Sequence, residues 1–484
     1  MTSPKTPFKD LNFGEPMAES ITDEDYFYSH YYDHFSLKNR LSKRDFFLIL
    51  GPKGAGKSAA GKYCKLLLEK ERKGELIFEP QELESFPNGL KKLAKAGPER
   101  RIEAWKLILA LQYFKMAKLD QSNSINNDSE ANKLWDNLCQ AGLVTDRSQF
   151  FTKKTTDIFL EKKLVIKAPR IAKFSQKTRS HNEERNIEIG ELSGYIFDLL
   201  FGNSSDNQYL LTIDGLDRII TDDGDYWKIL ESLLVASFAV FNDFRRRDAN
   251  YHLLVMCRSD IFRRADFPDI DKVNASSVRI EWRNEGREHS TSPLWDYLAK
   301  QAEIKVEELL SYFEKTVKVG GGQTVNTFEY LLTATRQTPR EVNLLMKRIQ
   351  NEALSHTKIN SKIIKPAVKE FAQNDLLAII KGETSGMLST EMPSDAIGTI
   401  FGSLKSAEKT TYDDFKEAAK TAGVSRDLLK ELIQFFYYAG LIGNYRESTG
   451  YIQFYHRNEH IQILKEGPWR VNRGIVDAYN IPWQ

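Results

Sequence analysis

Short apolar runs alternate with longer stretches of helical apolar spacing along the first 285 positions of the chain. The runs FFLIL (46–50) and YHLLVMCRSD (251–260) read as buried strands, GELIFEP (74–80) as a second strand, QYLLTIDGLDRII (208–220) as a short apolar strand ending in an acidic pair, and SVRIEW (277–282) as a candidate fifth. Between them, 100–119 repeats apolar residues at helical spacing through Trp105, Ile108, Leu109, Leu111 and Phe114, and 226–247 is an apolar helix with a basic end. That alternation predicts an α/β fold, a parallel sheet covered on both faces, with ligands at the carboxyl ends of its strands. The stretch 120–133 reads as a polar loop, and 153–179 carries nine basic residues against two acidic ones. This basic insertion, near 120–185, is read first as a solvated face and second as a nucleic-acid contact.

Past a polar linker at 283–293 the spacing is helical to about 373, a small helical domain, and a break follows at 381–395. The last unit gives two helices around a tight turn at Ala422 and Gly423, then a hairpin at 441–455. Helix, turn, helix and hairpin in that order predict a winged helix. The expected divisions are an N-terminal segment at 1–44, a core at 45–285, a helical lid at 290–378 and a winged-helix domain at 390–484.

Chemistry concentrates where the first strand meets GPKGAGKSA. Gly51, Pro52, Lys53, Gly54, Ala55, Gly56, Lys57, Ser58 and Ala59 hold the spacing G-x-x-x-x-G-K-S between a strand and a helix, the context of a phosphate-binding loop. Glycines let successive N–H groups turn into one concavity that side chains would block. Lys57 is expected to reach the β- and γ-phosphates of ATP, and the Ser58 hydroxyl to join the shell of Mg²⁺. The acidic, aromatic segment 1–44 is expected to cover that site.

Asp214 ends the apolar run of 208–214, where its carboxylate would hold the Mg²⁺ shell through water. Asp217 is read in two ways: it orients or deprotonates the attacking water, or it satisfies N–H groups at a helix start. Arg258 closes the next strand, as a sensor of γ-phosphate charge or as the partner of a nearby carboxylate. Arg340 follows Pro339 in TATRQTPRE and would project from the helical domain toward the nucleotide, or stand solvated in a first turn. Arg245, Arg246 and Arg247 cap a helix, and one of them, or Arg263 or Arg264, is open to the role of an arginine finger on a neighbouring subunit. In the winged helix Arg426 and Lys430 lie four apart on one face, an even choice between DNA contact and protein docking, and Arg446 is the one basic residue of the hairpin.

Composition narrows the field. Lys and Arg number 69 against 67 Asp and Glu, a formal charge of +2, which argues against a wholly basic nucleic-acid coat. The three cysteines, Cys64, Cys139 and Cys257, are widely spaced and odd in number, which fits a reducing, cytoplasmic setting and no disulfide framework. No leader or membrane anchor is read at the start MTSPKTPFKD, and no apolar stretch is long enough to span a bilayer. No nuclease, protease or deaminase signature is present either.

These pieces together resemble the AAA+ and STAND branches of P-loop ATPases, including initiators of the origin-recognition type, in which a nucleotide core precedes a helical lid and a winged helix. The motif IDGLDR departs from the AAA+ pattern, where a glutamate directly follows the strand-ending aspartate, and resembles the DGLD form of NACHT-type signalling ATPases. The whole chain is also similar to bacterial P-loop ATPases with an FGE…AE start and DGLDR, CRSDIF and TPRE segments. The resemblance implies an ATP-hydrolysing conformational switch, open to homo-oligomer formation, acting through a separate effector protein in defence or genome maintenance. The alternative is an ATP-regulated DNA-binding protein in which hydrolysis is incidental. A metabolic kinase is a third class, without an evident acceptor site.

Overall fold

The computed structural model describes residues 6–71, 74–82, 93–144, 164–166, 185–216, 225–282, 289–319, 323–354, 356–384, 392–393, 395–455 and 461–483. The chain divides into two compact units, one of residues 35–53 and 57–280 and one of residues 1–34, 54–56 and 281–484.

The first unit is built on a five-stranded parallel sheet. Its strands are β1 (Leu48–Gly51), β2 (Leu76–Glu82), β5 (Gln208–Asp214), β6 (Tyr251–Arg258) and β7 (Ser277–Arg279), in the order β2-β5-β6-β1-β7. A separate antiparallel pair, β3 (Leu164–Ile166) and β4 (Arg185–Ile187), is all that is described of the basic run at 153–179 and its surroundings. β5 and β6 are buried along almost their whole length, which is why they read as continuous apolar runs rather than alternating ones. Leu48, Leu50, Leu211, Ile213, Leu253 and Val255 join one core with Trp105, Ile108 and Phe114 of helix Pro98–Leu119 and Leu230, Leu233 and Leu234 of helix Asp225–Arg246. The α/β reading with a parallel sheet core is borne out.

The polar stretch at 120–133 differs from its reading as a loop. A 3₁₀ turn occupies Ser124–Asn126, and helix Ser129–Gln140 begins inside the stretch, where the Asp128 carboxylate accepts hydrogen bonds from the Glu130 and Ala131 N–H groups at 2.8 and 3.1 Å. Asp120 is buried and accepts from Ser122, Ser205, Asn207 and Tyr209. Those polar residues satisfy one another inside the fold instead of solvating a connection.

In the second unit, helices Pro293–Gln301, Val306–Ser311, Thr327–Ala334, Pro339–Ala353 and Ser361–Glu370 form a helical body. The reading of this region as helical throughout is corrected by an antiparallel pair, β8 (Thr316–Lys318) and β9 (Thr324–Asn326), whose β-branched residues flank the sequence glycines at 320–322. After Ser361–Glu370, a π-helical turn at Phe371–Leu376 leads into helix Leu377–Thr384. The N-terminal segment belongs here: Phe8 packs on Tyr312 and Phe313 at 5.4 Å between ring centroids, and Gln350 donates to the Leu11 carbonyl at 2.6 Å.

Helices Tyr412–Thr421 and Arg426–Tyr438 follow, the first held by a reciprocal cap between Thr411 and Asp414, the second by Ser425 accepting from the Leu428 N–H. A three-stranded antiparallel sheet, β10 (Ile442–Arg446), β11 (Tyr451–Phe454) and β12 (Trp469–Val471), succeeds them in the order β11-β10-β12, and helix Arg473–Tyr479 closes the unit.

Candidate nucleotide site

β1 ends at Gly51 and helix Lys57–Glu71 begins at Lys57, so residues 52–56 form the loop, and Lys57, Ser58 and Ala59 open the helix. Gly54 and Gly56 hold φ of +80° and +97°, the left-handed region a side chain disfavours, so the two glycines are what the turn requires. The Lys57 ammonium folds back across the loop and donates to the Pro52 carbonyl at 3.1 Å.

The Ser58 hydroxyl donates to Asp214 Oδ2 at 2.9 Å, and Asp214 Oδ1 accepts from the Gly215 N–H at 2.7 Å. These side chains lie 156 positions apart, Ser58 on the helix that follows β1 and Asp214 at the end of β5, strands separated by β6 in the sheet. A hydroxyl and a carboxylate, both hard oxygen donors, therefore meet at the carboxyl edge of the sheet. Among the described residues no group of three His, Cys, Asp or Glu side chains is placed to hold a metal. The donor chemistry of the Ser58–Asp214 pair suits a Mg²⁺ that draws its remaining ligands from phosphate and water, as that ion prefers. Asp217 lies outside the described residues.

Arg258, at the end of β6, is engaged locally. Its guanidinium forms a two-pronged ion pair with Asp260, Nε to Oδ1 at 3.0 Å and Nη2 to Oδ2 at 2.8 Å. Burial pushes the Asp260 carboxyl up, but the charge and hydrogen bonds of Arg258, with Arg264 and a backbone N–H, together outweigh it and hold the group below the usual carboxylate range.

In the second unit, Thr338 caps helix Pro339–Ala353, accepting from the Glu341 N–H, and Arg340 stands in the first turn. Its N–H lies 3.5 Å from the Gly54 carbonyl, and a Cβ at Gly54 would meet the Arg340 Cβ and Thr338 Oγ1 at 3.3 Å. Beside it, Arg336 donates to Glu341 at 2.6 Å in a buried pair. Of the finger candidates, Arg245, Arg246 and Arg247 are exposed at their helix end, Arg246 bonded to Asp243 and the Arg247 guanidinium 4.5 Å over the Phe201 ring. Arg263 is half-buried and Arg264 exposed.

Two residues at the loop and strand ends were not singled out from sequence. Parallel register places Glu82 opposite Asp214, a second carboxyl-bearing residue at the same strand edge, because β2 runs two residues past Pro80. Trp282 donates its indole N–H to the Ala55 carbonyl of the loop at 2.9 Å, beyond the end of β7. A Trp closing a strand was the only signal for it.

No family model matches the chain, and no curated protein matches it. Among solved structures, the crystal structure of Cdc6p from Pyrobaculum aerophilum aligns over 90% of this chain and 94% of its own, at 12% identity and a TM-score of 0.32, too weak a likeness to carry fold or function. No helix among the described residues is long and apolar enough to cross a membrane.

Proposed function

We propose that this chain is an ATP-binding and hydrolysing switch of the AAA+/STAND type, coupling nucleotide state to conformation, self-association or the binding of a separate effector protein in the cytoplasm, in defence or genome maintenance. The observation that carries the reading is the 2.9 Å bond between Ser58 and Asp214, which joins the phosphate-loop helix to the acidic end of β5. Backbone N–H groups of residues 51–59 would cradle the phosphates, with Lys57 reaching the β- and γ-oxygens. Ser58 and Asp214 would hold Mg²⁺, which supplies neutralising charge on the phosphate oxygens. Asp217 would take the proton of a water whose oxygen attacks the γ-phosphorus as the bond to the β–γ bridging oxygen breaks, leaving ADP and phosphate. Arg340 is proposed to read phosphate state, and Arg258 to support the same strand edge through Asp260.

The test is phosphate release and fluorescent-nucleotide binding by Lys57→Ala. Loss of binding or turnover with unchanged far-UV circular dichroism is expected, since the turn itself is set by the left-handed glycines Gly54 and Gly56. Wild-type release by this variant would overturn the reading. The second reading, an ATP-controlled DNA-binding protein, is favoured by the helix–turn–helix and sheet at 412–471, proposed as a winged helix. Turnover stimulated by duplex DNA would support it, and indifference to DNA would favour the switch.

A further inference from the structure

Two surfaces of the second unit are candidates to meet an anionic polymer, and they differ in how their cations are partnered. On the helix–turn–helix, Lys416 pairs with Asp413, Lys420 with Glu417 and Lys430 with Asp427, each within its own helix, while Lys409 pairs with Glu447 beside the hairpin. The exposed start of helix Arg426–Tyr438 thus carries Arg426 and Lys430 against Asp427 and Glu431 and has no net charge.

Helix Ser361–Glu370 is different. Its buried face is Ile363, Ile364, Ala367 and Val368. Lys362, Lys365 and Lys369 recur at three- and four-residue spacing, so they share the opposite face, where Lys362 and Lys365 are exposed. The β8–β9 hairpin is tied to the start of this helix: the Lys318 N–H donates to Ser361 Oγ at 3.1 Å, and the Glu314 N–H to the Ile359 carbonyl at 3.0 Å. Along β8, Val317 is buried and Thr316 and Lys318 are exposed, so Lys318 stands on the outer side of the hairpin, with exposed Lys315 just before it.

The carboxylates that could neutralise this face are already engaged. Glu370 and Asp375 both accept from Arg348, at 2.5 and 2.8 Å. Asp477 is buried and bonded to the Tyr330 hydroxyl, and it feels the charges of Lys365 and Lys369 without a direct ion pair to either. Among the described residues no ion pair within 4.0 Å joins Lys315, Lys318, Lys362 or Lys365 to a carboxylate, and Glu314 is the exposed acid beside them.

We propose that the lysine face of helix Ser361–Glu370 and the β8–β9 hairpin binds the phosphate backbone of duplex DNA, and that this face, rather than the start of helix Arg426–Tyr438, dominates the affinity. A row of exposed ammonium groups recognises phosphate charge without reading bases, so binding is sequence-tolerant and falls steeply with salt. This inference stands apart from the ATPase reading, since none of its residues belongs to the loop or to the candidate nucleotide site.

The experiment measures fluorescence anisotropy of a labelled mixed-sequence duplex with the full chain across a salt series. The double variant Lys362→Glu with Lys365→Glu is expected to weaken binding at least tenfold at low salt. It should also flatten the slope of log K against log salt by about two, at roughly 0.9 for each phosphate that is no longer neutralised. Arg426→Glu with Lys430→Glu should change affinity less than threefold. Lys362→Gln with Lys365→Gln, which removes charge without reversing it, should give an intermediate loss, so a misfolded charge-reversal protein cannot imitate the result. Either an unchanged affinity in both lysine variants, or no duplex retention by the wild type at low salt, overturns the proposal. So does capture by phosphatidylserine vesicles without capture of duplex.

Discussion

Asp214 and Asp260 stand at the carboxyl ends of neighbouring parallel strands, yet the fold treats them oppositely. Asp214 closes β5 and is held by a serine hydroxyl and a backbone N–H, neutral donors, with no cation paired to it among the described residues. Asp260 follows β6 by two residues and is clamped by both prongs of Arg258. A neutral hydroxyl is easily exchanged for a cation or water, whereas a guanidinium fork is not. One carboxylate is held only by neutral donors among the described residues, and the other fastens the end of β6 to helix Ser259–Arg264.

The comparison breaks most visibly if Asp214 is altered. Asp214→Asn keeps an acceptor for Ser58 but loses the charge a Mg²⁺ would use, and phosphate release should fall by about 10²-fold or more, in the range seen when one electrostatic contact to a transition state is removed. Its thermal midpoint should barely move. Asp260→Asn should do the reverse, neutralising the carboxylate that the Arg258 fork grips and costing on the order of 3 kcal/mol of stability by denaturant titration. The sign of its pH dependence follows from the depressed carboxyl. The contribution of Asp260 is fully present above the ordinary aspartate value and lost as pH falls through the lower folded value, so wild type should lose this stability below about pH 4 and the Asn variant should lack that component. Arg258→Lys is the mildest test. It preserves the charge but not the fork, and about 1 kcal/mol of destabilisation is expected, with phosphate release nearly unchanged. A large fall in turnover there would move Arg258 into the reacting site.

Much of this was legible along the chain. All five strands of the sheet overlap the runs read as strands, and the inner strands β5 and β6, buried on both faces, are apolar at most positions. Their spatial order was not legible, because adjacency is decided by crossover helices rather than by the runs themselves. The glycine spacing foretold the loop, and φ at Gly54 and Gly56 gives the reason. For Arg258 the sequence offered a sensor and a salt bridge as rivals. The carboxylate two residues on settles its geometry only once Ser259 turns the chain into a helix. The β8–β9 hairpin escaped because its strands are three residues each, shorter than any periodicity can reveal. At 120–133, polar composition hid a structured segment whose side chains bond one another.

The π-helical turn at Phe371–Leu376 has a consequence for how this sequence tolerates a change of length. Buried pairs step by four along the helix, Ile363 and Ile364, Ala367 and Val368, Phe371 and Ala372, and then by five, to Leu376 and Leu377. At 100° per residue, a five-residue step in an unbroken α-helix would swing the second pair about 140° off the first. The widened turn absorbs the additional residue, so one continuous apolar seam runs from Ile363 to Ile380 across what is, in phase, a single-residue insertion.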